Sequence, residues 1–251
     1  MSQRGGVSGA GATAGRRGEA TVHTLLDTGP GPGGLVRRLV EVPPGSRFEA
    51  AAGPGGELWY VIGGAGRLEP GTGPRAALRP GTALWMPPGV RYRLSAGTRG
   101  TLRMDSVSLP EDAEAPDRGG MPGPAAVPGR AGVPRVSRLE DCAVEITGDR
   151  RFRVLFGPGR GCEAATQFAG EIPPGRAPLH SHTYDEVVLV LAGEGVLHAG
   201  PAGHPLVPGN CIHLPPGQPH CLENTGQGTL RVLGVFHPGG SPAAKTAAPS
   251  G

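Results

Sequence analysis

The sequence predicts an all-β fold made of two tandem copies of one unit, and three observations carry that prediction. First, Gly contributes 46 and Pro 29 of the 251 residues. Each interior Gly costs a helix roughly 1 kcal/mol and each Pro roughly 3 kcal/mol, which excludes a mostly helical chain. The 37% hydrophobic and 18% charged residues are too apolar and too weakly charged for a chain disordered throughout. Second, short apolar segments are bounded by Gly/Pro turns at intervals of about ten residues, the pattern of a β-sandwich or barrel. Third, the two halves of the chain repeat one another.

In chain order, residues 1–19 hold many glycines and almost no large apolar side chain, so a disordered tail is expected. A first apolar block covers 20–108. Residues 109–134 are Pro, Gly and Ala with scattered charge, and read as a linker or a long mobile loop. A second block covers 135–240, and 241–251 reads as another tail. Pro43-Pro44-Gly45 matches Pro173-Pro174-Gly175, and Glu57-LWYVIG-Gly64 matches Glu186-VVLVLA-Gly193. Pro87-Pro88-Gly89 matches Pro215-Pro216-Gly217, and Thr101-Leu102-Arg103 matches Thr229-Leu230-Arg231. The offset stays nearly constant, which chance similarity does not produce over such a span. Within each block, LWYVIGG and VVLVLAG are apolar at both parities, so both faces of these strands should be covered. The cover is either the other repeat or a second chain, and a homodimer through the outer sheets is the protein partner expected.

Net charge is +3, from 24 basic and 21 acidic residues. Basic residues meet only as pairs (Arg16–Arg17, Arg37–Arg38, Arg150–Arg151), so no nucleic-acid footprint is expected. The apolar run Val187–Ala192 is far short of a membrane span, and MSQRGGVSGAGATAG lacks the apolar core of a secretory signal. Cys142, Cys162, Cys211 and Cys221 form no CxxC and no disulfide framework. A cytoplasmic, reducing location is the expectation, with Cys162 and Cys211 as small buried apolar residues.

Chemistry concentrates in the second block. It reads Gly175-RAPL-His180-Ser-His182-Thr-Tyr-Asp-Glu186-VVLVLA-Gly193, then Gly209-NCIHL-Pro215-Pro-Gly217-Gln-Pro-His220-Cys-Leu-Glu-Asn224. On an extended strand His180, His182, Tyr184 and Glu186 share one face, because the side-chain period is two. His180 and His182 can chelate one ion, Glu186 can reach it if the chain turns after His182, and His220 comes from a separate strand. Three imidazoles and one carboxylate suit a divalent first-row transition metal (Fe, Mn, Ni, Co, Cu or Zn) and leave open positions for substrate or water. Cys221 follows His220 directly, so strand parity turns it away.

These two stretches resemble the cupin superfamily, whose motifs read G(x)5HxH(x)3–4E(x)6G and G(x)5PxG(x)2H(x)3N. The second block fits both, except that four residues rather than five separate Gly175 from His180. The duplication makes the chain similar to a bicupin over nearly everything outside tails and linker. The resemblance implies a jelly-roll (double-stranded β-helix) barrel per block, with one ion in the C-terminal barrel held by His180, His182, Glu186 and His220. The first block departs from the pattern: Ala51 and Gly53 stand where the HxH should be, and Tyr92 stands for His220. Glu57 is then a structural or surface carboxylate, and no transition metal is expected there.

Other residues carry secondary expectations. Tyr184 is expected to pack in the core, with substrate contact as its alternative. His213 is expected to be a satisfied structural histidine, or a neighbour of the ligands if it points inward. One of Gln167 and Phe168 should face the cavity, and Gln167 is the candidate for orienting a polar substrate. His198, His204 and His237 should be superficial, and Asn224 should satisfy turn backbone groups. The resemblance to metal-dependent cupin enzymes implies a dioxygenase acting on a small enol, diketone or phenolic substrate that chelates the ion, with Glu186 as base. Redox-neutral isomerase, cyclase or decarboxylase chemistry is the alternative, and a non-enzymatic binding bicupin is a third.

Overall fold

The computed structural model describes residues 6–8, 14–29, 34–111, 132–243 and 246–247. Strands dominate, and the helical element among the described residues is one 3-10 turn, Leu139–Asp141. The chain divides into two compact units, formed chiefly by residues 27–136 and by residues 137–251. Most of 109–134 lies outside the described residues.

In the first unit a seven-stranded sheet runs Arg135–Arg138, Thr82–Met86, Glu57–Gly63, Leu102–Ser108, Val36–Val42, Ala20–Asp27, Ala14–Arg17. A four-stranded sheet runs Arg47–Ala51, Arg91–Ala96, Gly66–Pro70, Ala76–Leu78. Trp59, Phe48, Leu68, Leu84, Met104 and Tyr92 pack together in its core. A charged pair is also fully buried here: Arg37 Nε and Nη2 donate to the two Asp105 carboxylate oxygens at 2.8 and 3.0 Å.

The second unit repeats the plan. Its seven-stranded sheet runs Gly6–Ser8, Cys211–Leu214, Asp185–Ala192, Leu230–His237, Thr166–Ile172, Arg150–Phe156, Glu145–Thr147. Its four-stranded sheet runs Gly175–Arg176, Cys221–Asn224, Gly195–His198, Gly203–Leu206. Val188, Val190, Ile212, Leu214 and Val232 point into this unit. The opposite parity, Val187 and Leu189, is buried as well.

Two corrections concern the expected tails. Gly6–Ser8 pairs with Cys211–Leu214, and Ala14–Arg17 pairs with Ala20–Asp27. Thr246–Ala247 pairs with His180–Ser181. A Gly-rich segment can add an edge strand because the ladder uses backbone groups, not side chains. Within these segments, residues 1–5, 9–13, 244–245 and 248–251 lie outside the described ones.

Candidate metal centre

The Pro-Pro-Gly turn sets the position of His220. Gly217 sits at φ 76, where a Cβ would be strained, and Gln218 N–H closes the turn on Pro215 O at 3.2 Å. Gly217 N–H donates to His182 O at 2.7 Å, tying the turn to the HxH segment. His180 and His220 exchange backbone hydrogen bonds of 3.0 and 2.8 Å. Two ligand-bearing segments are thereby fastened at the point where their rings meet.

The imidazoles of His180, His182 and His220 are buried, and their ligand atoms lie within 4.8 Å of one another. Glu186 Oε2 lies 3.6 Å from His182 Nε2 and 3.4 Å from His220 Nε2. His220 Nδ1 meets Gln218 O at 2.9 Å and His180 Nδ1 meets Pro178 O at 3.3 Å. A carbonyl accepts only from N–H, so each Nδ1 carries the proton and each Nε2 presents a lone pair to the centre. Glu186 Oε2 is buried without a hydrogen-bond partner. Several electron-rich atoms thus converge on one point. Burial opposes ionisation of Glu186; when the neighbouring rings are protonated, a hydrogen bond and charge from His220, then the charge of His182 and His180, outweigh it and hold the carboxyl below its usual range. Donors about 2 Å from a common ion stand about 3–4 Å apart; the Glu186 distances fall in that range, and the imidazoles need only draw slightly closer for the set to hold a divalent transition metal.

A cavity of about 70 Å³ adjoins the cluster. Phe152, Phe168, Val188, Leu222, Val232 and Phe236 supply apolar wall, and Arg150 adds a cation. Pro242 borders it from the segment after the last strand. That segment is held down twice: Thr166 Oγ1 donates to Gly240 O at 2.7 Å, and Tyr184 O–H donates to Ser241 O at 2.8 Å.

The structure brings His180, His182, Glu186 and His220 together. It does not bring Gln167 to them. Phe168, Gly170 and Ile172 line the cavity, so the intervening parity, with Gln167, points to the other face of the sheet. Its amide is fully buried with neither polar atom hydrogen-bonded, and the cavity-facing member of the pair is Phe168. His213 also turns away from the cavity, and its Nε2 meets Asp185 Oδ1 at 2.8 Å. Tyr184 stacks on His182 at 5.1 Å and meets Phe236 at a tilt of 50° and 4.6 Å, a packing role beside the cavity. Burial, then the Glu186 charge, push its hydroxyl up to about 12. Asn224 is buried, donating to Ile172 O and Gly228 O and accepting from Gly226 N–H. Arg150 and Phe152 are wall residues that sequence reasoning passed over.

The corresponding place in the first unit is differently furnished. Glu57 accepts from Tyr92 O–H at 2.5 Å, Trp59 Nε1 at 3.2 Å and Ser108 O–H at 3.3 Å. Its carboxylate is thus tied into the barrel by hydrogen bonds. Burial, then Glu57, push the Tyr92 hydroxyl far above its usual range.

Two small antiparallel barrels in tandem, one with imidazoles and a carboxylate converging beside an apolar cavity, define a duplicated barrel protein with one candidate metal centre. The chain belongs to the cupin family: the cupin domain model matches it twice, at 38–108 and 169–236. Tobacco (Nicotiana tabacum) auxin-binding protein T85 is 35% identical over an alignment of 75 residues, and the match covers 26% of this chain and 40% of that protein. An oxalate-binding protein of Thermotoga maritima is 36% identical over 68 residues, 26% of this chain and 56% of that protein. The matched stretches are thus barely half of these relatives or less. A glyoxylate-induced protein of Pseudomonas aeruginosa, described as putative, aligns over 97% of this chain and 93% of its own, with a TM-score of 0.76 and 16% identity. A variant of Bacillus subtilis oxalate decarboxylase aligns over 98% and 80%, with a TM-score of 0.73 and 14% identity. At such identities these two structures show the fold alone. No helix among the described residues is long and apolar enough to cross a membrane.

Proposed function

We propose that this bicupin is a metal-dependent enzyme acting on a small oxygen-rich substrate in its C-terminal barrel. The observation that carries the reading is the convergence of three imidazoles and the unpartnered Glu186 Oε2 beside a mostly apolar cavity. A divalent transition metal held by His180, His182, Glu186 and His220 would polarise a substrate oxygen and stabilise negative charge developing on it. The carbonyls of Pro178 and Gln218 fix the tautomers of two ligands. Phe152, Phe168 and Phe236 exclude water, which strengthens every charge interaction inside. The Glu186 carboxylate, besides serving as a ligand, is the proton acceptor of the centre. Drug-sized ligands need about 300 Å³ or more. At about 70 Å³ the cavity suits small enols, diketones and acids rather than flavonol-sized phenols.

Oxidative cleavage of such a substrate by dioxygen is the first reaction class. Redox-neutral decarboxylation or isomerisation is a second reading, favoured by the likeness to proteins named for oxalate. Elemental analysis of the purified chain, with oxygen uptake recorded on small diketones and on oxalate, tests both. About one ion per chain with uptake supports the dioxygenase. One ion with product but no uptake supports the redox-neutral enzyme. Tight binding without turnover makes the barrel a binding module, and no metal after reconstitution overturns the reading.

A further inference from the structure

The cavity holds a second polar element besides the ligand cluster. Arg150 and Phe152 leave the first long strand of the unit on the same face, and both line the cavity. The Arg150 side chain is 12% exposed. Its Nη2 donates to Leu222 O at 2.5 Å, two residues beyond His220. Its Nε is buried and makes no hydrogen bond. An acid near Nε is Asp149, whose carboxylate stands 3.9 Å away and is 59% exposed, beyond hydrogen-bond distance. Burial depresses the guanidinium pKa, and the attraction of Asp149, Cys221 and Glu186 falls short of restoring it. A buried guanidinium with an idle N–H beside an apolar cavity is a costly arrangement unless something docks there.

The charges in and around the cavity say what docks. Exposed Arg151 and half-buried Glu171 also border it, and Glu171 lies 3.4 Å from Arg153. Glu186 faces the imidazoles. With a divalent ion beside Glu186, the interior carries an excess of positive charge that includes Arg150. A carboxylate matches a guanidinium edge with two parallel N–H···O bonds.

We propose that Arg150 is the substrate-anchoring residue of this barrel, and that the substrate is a small carboxylic acid of about two to four carbons. One carboxylate pairs with the Arg150 guanidinium while the remaining oxygens face the imidazole–carboxylate cluster. The size follows from the cavity of about 70 Å³. A water needs about 10–15 Å³ on this measure, so the space takes a handful of heavy atoms. The inference rests on the metal reading above, and adds to it the charge and size of the ligand.

The test uses two probes on the full-length, metal-reconstituted chain: oxalate, a dianion with a carboxylate to offer Arg150, and acetohydroxamic acid, which chelates an ion through its two oxygens as a monoanion and has no further oxygen for a guanidinium. Affinities for both are measured by calorimetry, with metal content, for the wild type, Arg150→Gln and Arg150→Lys. The expected result is that Arg150→Gln weakens oxalate about 10- to 100-fold, the worth of charge-assisted hydrogen bonds, and leaves acetohydroxamate and metal content unchanged. Arg150→Lys falls between, because it keeps the charge and loses the fork; it carries the test if Arg150→Gln does not fold. Equal oxalate affinity in wild type and variants, with metal present, overturns the Arg150 assignment alone. Equal losses for both probes assign Arg150 to clamping Leu222 and also overturn it. A wild type that takes up no metal overturns the metal reading, and this proposal with it.

Discussion

If the ion belongs to the C-terminal barrel, adding it should stabilise that unit through His180 and His220 and be indifferent to Glu57. The perturbation is the His180→Ala/His220→Ala double variant, set beside Glu57→Gln. Both histidines are buried, at 8% and 3% exposure, and join through two backbone hydrogen bonds that the alanines keep. The double variant should therefore fold and lose two of four ligands. A ligand that binds only the folded state at a hundred times its dissociation constant contributes about 2.7 kcal/mol. If the C-terminal unit melts by itself, about 4–8 °C per kcal/mol gives a rise of about 10–20 °C. If the chain melts as one, about 2–4 °C per kcal/mol gives about 5–10 °C. Scanning calorimetry, with chelator and then with metal, reads this directly. Wild type and Glu57→Gln should shift alike, and the double variant should not move. An equal shift in the double variant, or a shift lost in Glu57→Gln, would refute the placement of the ion.

Three further outcomes follow from the same geometry. Tyr92→Phe removes the 2.5 Å bond to Glu57 and should cost about 1–3 kcal/mol in urea unfolding, with metal content unchanged. Arg37→Leu leaves Asp105 buried without its partner and should cost about 3–5 kcal/mol; Arg37→Leu/Asp105→Leu should cost less than Arg37→Leu, because no unpaired charge remains. Removing residues 241–251 takes away Pro242, which borders the cavity, and the Ser241 carbonyl that receives Tyr184. It should speed loss of the ion to a chelator several-fold while the far-ultraviolet dichroism stays the same.

The duplication and the ligand motif were legible because both are matters of spacing. A repeat keeps its turns in register, and an HxH with a carboxylate four residues on has few other uses. Strand parity was harder. Which of Gln167 and Phe168 faces inward depends on the pairing register of Thr166–Ile172, and Arg150–Phe156 pairs with it through a bulge between Val154 and Phe156. One residue of slip exchanges the faces, and the sequence does not resolve it because Thr166, Gln167 and Phe168 are all buried. Arg150 was illegible for another reason. Arginine is mostly exposed, so an Arg-Arg pair at a strand start reads as surface until the fold buries one member.

The two barrels also show that more than the ligand motif separates them. Glu57 and Tyr92 occupy the positions of Glu186 and His220, so the first barrel keeps the frame of a centre. Ala51 and Gly53 supply no imidazoles there, and the wall residue differs as well. Where the second repeat has Val188 on the cavity wall, the first has Trp59, 2% exposed. Its indole meets Phe48 and Tyr92 edge-on at 5.9 Å each and donates to Glu57. A tryptophan in place of a valine fills space with packing contacts that a substrate would otherwise use. The carboxylate that faces imidazoles in one barrel is consumed by phenol, indole and hydroxyl donors in the other. Chemistry at this fold position therefore needs two things together: donors whose lone pairs are left facing one point, and a wall residue small enough to leave room beside them.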